Sequence, residues 1–164
     1  MNWILSFSYL LHLIATVVWL GGIAINVLMA VPALARGTID NNQWLMIQKK
    51  FTPYANISMA VLLVSGFYQM TSDPNYGGFM VLDGIWAWSM LFKHVAYVGM
   101  VAILIYFQFV FFPEVDRLTE MFGSKPTLLE EEMTKSKKRE RSLLITNVVC
   151  GFFVLLFTAI ATAV

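Results

Sequence analysis

The chain has 164 residues, of which 59% are hydrophobic and 13% are charged, and its formal net charge is +1. Its mean hydropathy is +0.70, and the apolar residues form long blocks, which excludes an ordinary soluble domain and predicts membrane spans. The single cysteine, Cys150, excludes an internal disulfide and any cysteine-built metal site.

Four apolar blocks follow one another along the chain. They predict an all-α integral membrane protein with a single domain over residues 1–164, folded as an up-down bundle of four transmembrane helices. The predicted spans are about 3–34, 53–71, 85–112 and 143–164. Pro32 and Pro113 are expected to close the first and third spans, and Pro53 to stand in the first turn of the second.

The charges of the connecting segments predict the orientation. Segments 35–52 and 113–142 hold every lysine and arginine except Lys93, whereas the turn-rich segment 72–84 holds none. The positive-inside rule makes the two basic segments cytoplasmic loops and places both termini outside. We expect a multi-pass protein of a bacterial inner (cytoplasmic) membrane, with no cleavable signal peptide. The basic run from Lys135 to Arg141 is expected to contact anionic lipid rather than nucleic acid.

A helix is also expected within the second basic loop. Thr127 and Glu130 form a capping-box pattern directly after Pro126, so a helix should begin there and continue into the fourth span.

The only two histidines, His12 and His94, fall inside the first and third predicted spans. Each lies about nine residues from the same end of its span, roughly 13 Å deep at 1.5 Å per residue. Two imidazoles at one depth on diagonal helices can fill both axial positions of a haem. Ionisable residues inside a membrane indicate function. We therefore expect one haem b, with His12 and His94 as its metal ligands and no separate catalytic residue.

Other residues at this depth extend the expected cofactor site. Trp19 lies almost two helical turns after His12 on a similar face, and it is expected to line the bundle interior. Gly22 and Gly66 would leave room for a flat ring, although small residues also serve close helix packing. Lys93 can pair with a haem propionate or extend its ammonium group to the membrane surface. Tyr97, one turn further along, is a candidate hydrogen-bond donor.

A second polar layer takes one residue from each predicted span. Its members are Asn26, Asn56, Gln108 and Asn147. Hydrogen bonds between helices are their expected role, and a quinone or proton site is the alternative.

The pattern H-x6-W-x-G-G, from His12 through Trp19 to Gly22, resembles the copper resistance D-like family of small membrane proteins. Lys93 and the stretch RSLLITNVVCGFFVLLFTAIA are similar to that family as well. The four-helix membrane protoporphyrinogen oxidases share the general plan, with a histidine in the first span and a lysine in the third. The resemblance implies a four-helix membrane fold that binds haem b or handles copper. VPALAR replaces the Leu-Pro-Arg segment of those oxidases, which argues against their activity here, and His94 has no counterpart in the copper-related family.

Three functions are consistent with the sequence. The first is electron transfer near the outer membrane face by a haem b protein, alone or as a subunit of a larger redox complex. Electron transfer is favoured over a stand-alone enzymatic activity, and quinol oxidation stays open. The second is copper uptake or tolerance, with His12, His94 and methionines as transient ligands, although no Met-rich or Cys-rich segment is present to collect a soft metal. The third is a cofactor-free accessory subunit in which the histidines serve packing.

Overall fold

The computed structural model describes residues 3–78, 81–122 and 126–164, without the side chains of residues 35, 41, 122 and 126–131. Regular structure in these ranges is entirely helical. The α-helices are α1 (Trp3–Ile25), α2 (Val31–Ala35), α3 (Asn41–Thr71), α4 (Gly84–Tyr106), α5 (Phe112–Phe122) and α6 (Pro126–Ala163). Two π-helical segments, Asn26–Ala30 and Phe107–Phe111, join α1 to α2 and α4 to α5. The chain thus forms four continuous helical rods.

Both π-helical segments precede a proline that was expected to end a helix. Val31 N–H donates to Asn26 O, five residues back, and Pro32 follows it. Phe112 N–H donates in the same way to Phe107 O, and Pro113 follows. A wider π turn moves the preceding carbonyls, so a residue without an N–H is accommodated and the rod continues. The prediction that Pro113 closes the third span is wrong, because that rod continues to Phe122, whereas the first rod ends at Ala35, three residues after Pro32 and close to the expected end of the first span.

The third helix begins twelve residues before the predicted second span because Asp40 caps it. Asp40 Oδ1 accepts a hydrogen bond from Gln43 N at 2.7 Å, and Gln43 Oε1 accepts one from Asp40 N at 3.1 Å. This capping box satisfies two backbone donors at the helix start. The predicted loop 35–52 is therefore helical except at residues 36–40, and Pro53 lies inside α3 instead of in its first turn.

The second predicted loop, 113–142, is also largely helical, since it contains α5 and the first half of α6. The helix expected after Pro126 is confirmed, because α6 runs without a break from there to Ala163. The side chains of its capping box, Thr127 and Glu130, lie outside the described residues.

Three of the four rods are long and apolar enough to cross a membrane, among the residues described. They are Trp3–Leu34, Gly84–Met121 and Glu132–Ala163, whose most apolar 18-residue stretches have mean hydropathies of 2.2, 2.2 and 2.5. The expected fold class, a four-transmembrane-helix bundle with both termini outside, is therefore wrong as stated. The predicted second span lies in α3. This helix is too polar to be a candidate membrane span, because it contains Asn56, Ser58, Ser65 and Gln69. The expected orientation, with both termini outside, required the chain to cross the membrane four times, so it is wrong together with the four-span fold.

The rods pack in pairs, α1 along α3 and α4 along α6, while α1 also touches α6. Tyr97 of α4 donates to the Met59 carbonyl of α3 at 2.7 Å and so joins the two pairs. A central cluster of buried residues fills the middle of the bundle: Trp19, Ile23, Ala55, Met59 and Met100. A second cluster, around Trp44, Phe107 and Phe111, lies at the end that carries the 36–40 connection, called here the basic end.

Two adjacent glycines of α1 provide a matched test of this packing. A Cβ added to Gly22 would overlap the Phe51 ring of α3, whereas nothing lies within 4 Å of a Cβ added to Gly21. We expect Gly22→Ala to destabilise the fold by about 1–3 kcal/mol, as overpacking of a filled interior does. Gly21→Ala should be neutral or slightly stabilising, since alanine favours helix. Thermal unfolding of both variants in one detergent checks this, and equal melting temperatures would contradict the packing of Phe51 on Gly22.

Candidate intramembrane site

His12 lies in the interface between α1 and α3, where it contacts Ser65. The distance from His12 Nδ1 to Ser65 Oγ is 2.8 Å, and Ser65 Oγ donates its own proton to the Val61 carbonyl at 2.5 Å. Because that proton is engaged, the hydroxyl oxygen accepts from His12 Nδ1–H. The tautomer that results carries its lone pair on Nε2, the form that binds a metal.

His94 reaches the same protonation pattern through its own helix. Its Nδ1 lies 2.6 Å from the Met90 carbonyl oxygen, which can only accept a hydrogen bond. Nδ1 therefore carries the proton, and Nε2 again has the lone pair. His12 is nine residues from the start of α1 and His94 is ten from the start of α4. At 1.5 Å per residue these positions are about 13 and 15 Å along their helices, close to the matched depth expected from the sequence.

Lys93 and His94 each share a helix face with buried residues of α4, since His94 is seven residues after the buried Ala87. Lys93 is four residues after Ser89 and seven before Met100, both of which are buried, and residues at these spacings lie on one face. Its ammonium group interacts electrostatically with the His12 ring. His94 follows Lys93, so its side chain leaves the helix about 100° further round. The hydrogen bond of His94 thus stays on α4, whereas that of His12 crosses to α3.

Four further predicted site residues make contacts inside the bundle. Trp19 is 3% exposed, which confirms the prediction that it lies in the bundle interior. A Cβ on Gly66 would come within 3.2 Å of His12 Cε1, so the missing side chain lets the imidazole lie against α3. Gly22 instead accommodates Phe51. The Tyr97 hydroxyl donates its hydrogen bond to the Met59 carbonyl oxygen.

The imidazoles of His12 and His94 offer nitrogen ligands of the kind that haem iron takes. Within the described ranges, no three His, Cys, Asp or Glu side chains are grouped closely enough to hold a metal. A haem brings four nitrogen ligands of its own and needs only axial ones, which two unprotonated Nε2 atoms can supply. Among the described residues, the buried indole N–H of Trp19 has no hydrogen-bond partner, so it can serve a polar group of a bound cofactor.

Part of the second polar layer pairs internally. Asn56 Nδ2 donates to Gln108 Oε1 at 3.0 Å, and Gln108 Nε2 donates back to Asn56 Oδ1 at 2.9 Å. These bonds join α3 to the π-helical segment after α4, which confirms the inter-helix role expected for the two residues. Asn26 and Asn147 are both buried.

A buried polar cluster at the basic end was missed from the sequence. Glu140 is 5% exposed, and its Oε1 accepts from Trp44 Nε1 and from Gln48 Nε2, both at 2.6 Å. Trp44 and Gln48 are spaced i, i+4 on α3, so one carboxylate of α6 meets two donors on one face. That spacing was the available signal, but segment 35–52 had been interpreted as a loop.

The described residues form a helical protein with three candidate membrane spans, which carries one histidine on α1 and a lysine and a histidine on α4. No protein-family model, curated protein or solved structure matches the chain. The resemblance to copper resistance D-like proteins is thus an expectation that rests on short motifs.

Proposed function

We propose that the protein is an electron-transfer protein of the bacterial inner membrane that binds one haem b through His12 and His94. The observation that carries the proposal is that both imidazoles have their Nδ1–H engaged by an oxygen, which leaves each Nε2 free as an axial ligand. A haem held in this way supplies one-electron redox chemistry.

The surrounding residues have distinct roles in this proposal. Ser65 fixes the His12 tautomer and orients the ring, because its oxygen accepts from Nδ1. Lys93 supplies a positive charge beside His12, and it can neutralise a propionate group that would otherwise be costly in the membrane. Quinol or a neighbouring redox subunit is the proposed electron partner.

Copper handling is the second candidate function. The observation that favours it is the position of Met59 and Met100, which are buried beside Trp19 in the central cluster. Thioether sulfurs and imidazoles are the ligands that Cu(I) prefers.

One preparation distinguishes these functions. The protein is expressed with added haem precursor and purified, and its absorption spectrum is recorded oxidised and dithionite-reduced. We expect the bands of a six-coordinate, low-spin haem b and about one haem per chain in the pyridine haemochrome assay. A membrane cytochrome expressed in parallel controls for haem supply. A colourless protein containing stoichiometric copper would favour the second function, and one without haem or copper would contradict both.

A further inference from the structure

A pocket of about 280 Å³ opens at the basic end, between α2, α3 and the middle of α6. Its wall is apolar on one side, where Val31, Leu34 and Leu144 lie. On the other side three basic residues of α6 line it: Lys137, Lys138 and Arg141. A cavity that is apolar on one side and cationic on the other suits an amphiphilic anion.

The ion pairs of this end use other basic residues. Lys49 pairs with Asp116 at 2.7 Å, Lys135 with Glu132 at 2.7 Å and Arg139 with Glu114 at 3.0 Å. Within the part of the chain that the structure describes, the cationic groups of the pocket do not belong to these ion pairs, so they can meet an external anion.

One carboxylate, Glu140, also lines the pocket. It is held from behind by Trp44 and Gln48, and it interacts electrostatically with Lys137. The pocket lining contains three cationic side chains and one carboxylate, so its net charge is +2. Lys138 and Arg141 are exposed and carry this excess at the pocket mouth.

The pocket lies where the chain changes from charged to apolar. After Arg141 and Ser142, α6 continues with Leu143, Leu144 and a long apolar stretch inside the candidate span Glu132–Ala163. The border between such segments lies at the level of the lipid headgroups, where basic residues attract anionic lipids. The apolar wall of α2 continues from the cationic mouth toward the membrane interior.

We propose that this pocket binds the headgroup of an acidic phospholipid, with its phosphate against Lys138 and Arg141 and an acyl chain along Val31, Leu34 and Leu144. This assignment is independent of any haem, because the pocket lies at the far end of the bundle from His12.

The test measures phospholipid retained by the detergent-purified full chain in native mass spectrometry. We expect wild-type protein to retain phosphatidylglycerol in preference to phosphatidylcholine of the same chain length. Each lysine or arginine that contacts the anionic headgroup is expected to contribute about 1 kcal/mol, or about fivefold in affinity. The double variant Lys138→Gln/Arg141→Gln should therefore bind phosphatidylglycerol about 25-fold more weakly.

Arg36→Gln is the matched control, because it removes one positive charge from the same end without altering the pocket lining. It should leave affinity within about twofold, a range typical of surface substitutions. Circular dichroism verifies that the variants are folded. Equal retention of the two lipids, or equal loss in the Arg36 control and the double variant, would overturn the proposal. Two soluble probes, inorganic phosphate and glycerophosphoglycerol, complete the test. Competition by either at lipid-like affinity would also overturn it, since neither uses the apolar wall.

Discussion

Replacing His12 by alanine is expected to abolish haem retention by the purified protein. The side chain supplies one axial nitrogen, and its Nε2 is free because Ser65 accepts from Nδ1 at 2.8 Å. Cys150 lies seven residues after Leu143, where the apolar part of α6 begins. It is next to Gly99 of α4 and away from His12. The Cys150 thiol therefore does not replace His12 as an axial ligand of comparable strength. The pyridine haemochrome assay on equal amounts of protein measures the loss.

Graded variants separate ligation from folding. Ser65→Ala removes the partner of His12 while leaving the imidazole, so haem affinity should fall about 10–100-fold, as for other outer hydrogen-bond partners of metal ligands. His94→Ala should also sharply weaken haem binding. Lys93→Gln should retain haem with a lower reduction potential, because the positive charge that favours the reduced form is gone.

Imidazole rescue is the decisive control for His12→Ala. Added imidazole can occupy the vacated position beside Gly66 and restore the low-spin spectrum if the residue is a ligand, whereas it cannot repair a misfolded bundle. Haem retained unchanged in the double variant without His12 and His94 would refute the assignment of both ligands.

The apolar character of the fold could be predicted from the sequence, but the helix lengths could not. The first candidate span has the expected bounds, Trp3–Leu34. Pro113 misled the prediction of the third span because the π turn before it depends on bonds five residues apart, which no single residue signals. The start of α3 could have been predicted but was missed, since Asp40 and Gln43 have the capping-box spacing.

The candidate site was predicted only in part. The depth of His12 and His94 follows from counting along the helices, and the interior position of Trp19 follows from its place in mid-span. Which residues of α4 point toward α1 depends on the rotation of α4 about its axis. Helix rotation is set by packing, here by Met100 and Tyr97 against α3 and the central cluster, and one sequence does not specify those contacts.

Replacing Trp19 by alanine should cause the largest loss of stability of any single substitution considered. The indole is 3% exposed and packs with Ile23, Met59 and Met100 in the central cluster. Truncating a buried tryptophan removes many contacts and leaves a cavity, which costs about 3–5 kcal/mol. In a membrane, where packing rather than water exclusion holds helices together, the lost contacts act directly on helix association.

Trp3→Ala is the matched control on the same helix, since Trp3 is 73% exposed and its truncation should change stability by less than about 0.5 kcal/mol. Reversible unfolding in mixed micelles with increasing dodecyl sulfate measures both. Similar free energies of unfolding for the two variants would show that Trp19 does not lie in a filled interior, and the central position of α1 in the bundle would then have to be abandoned.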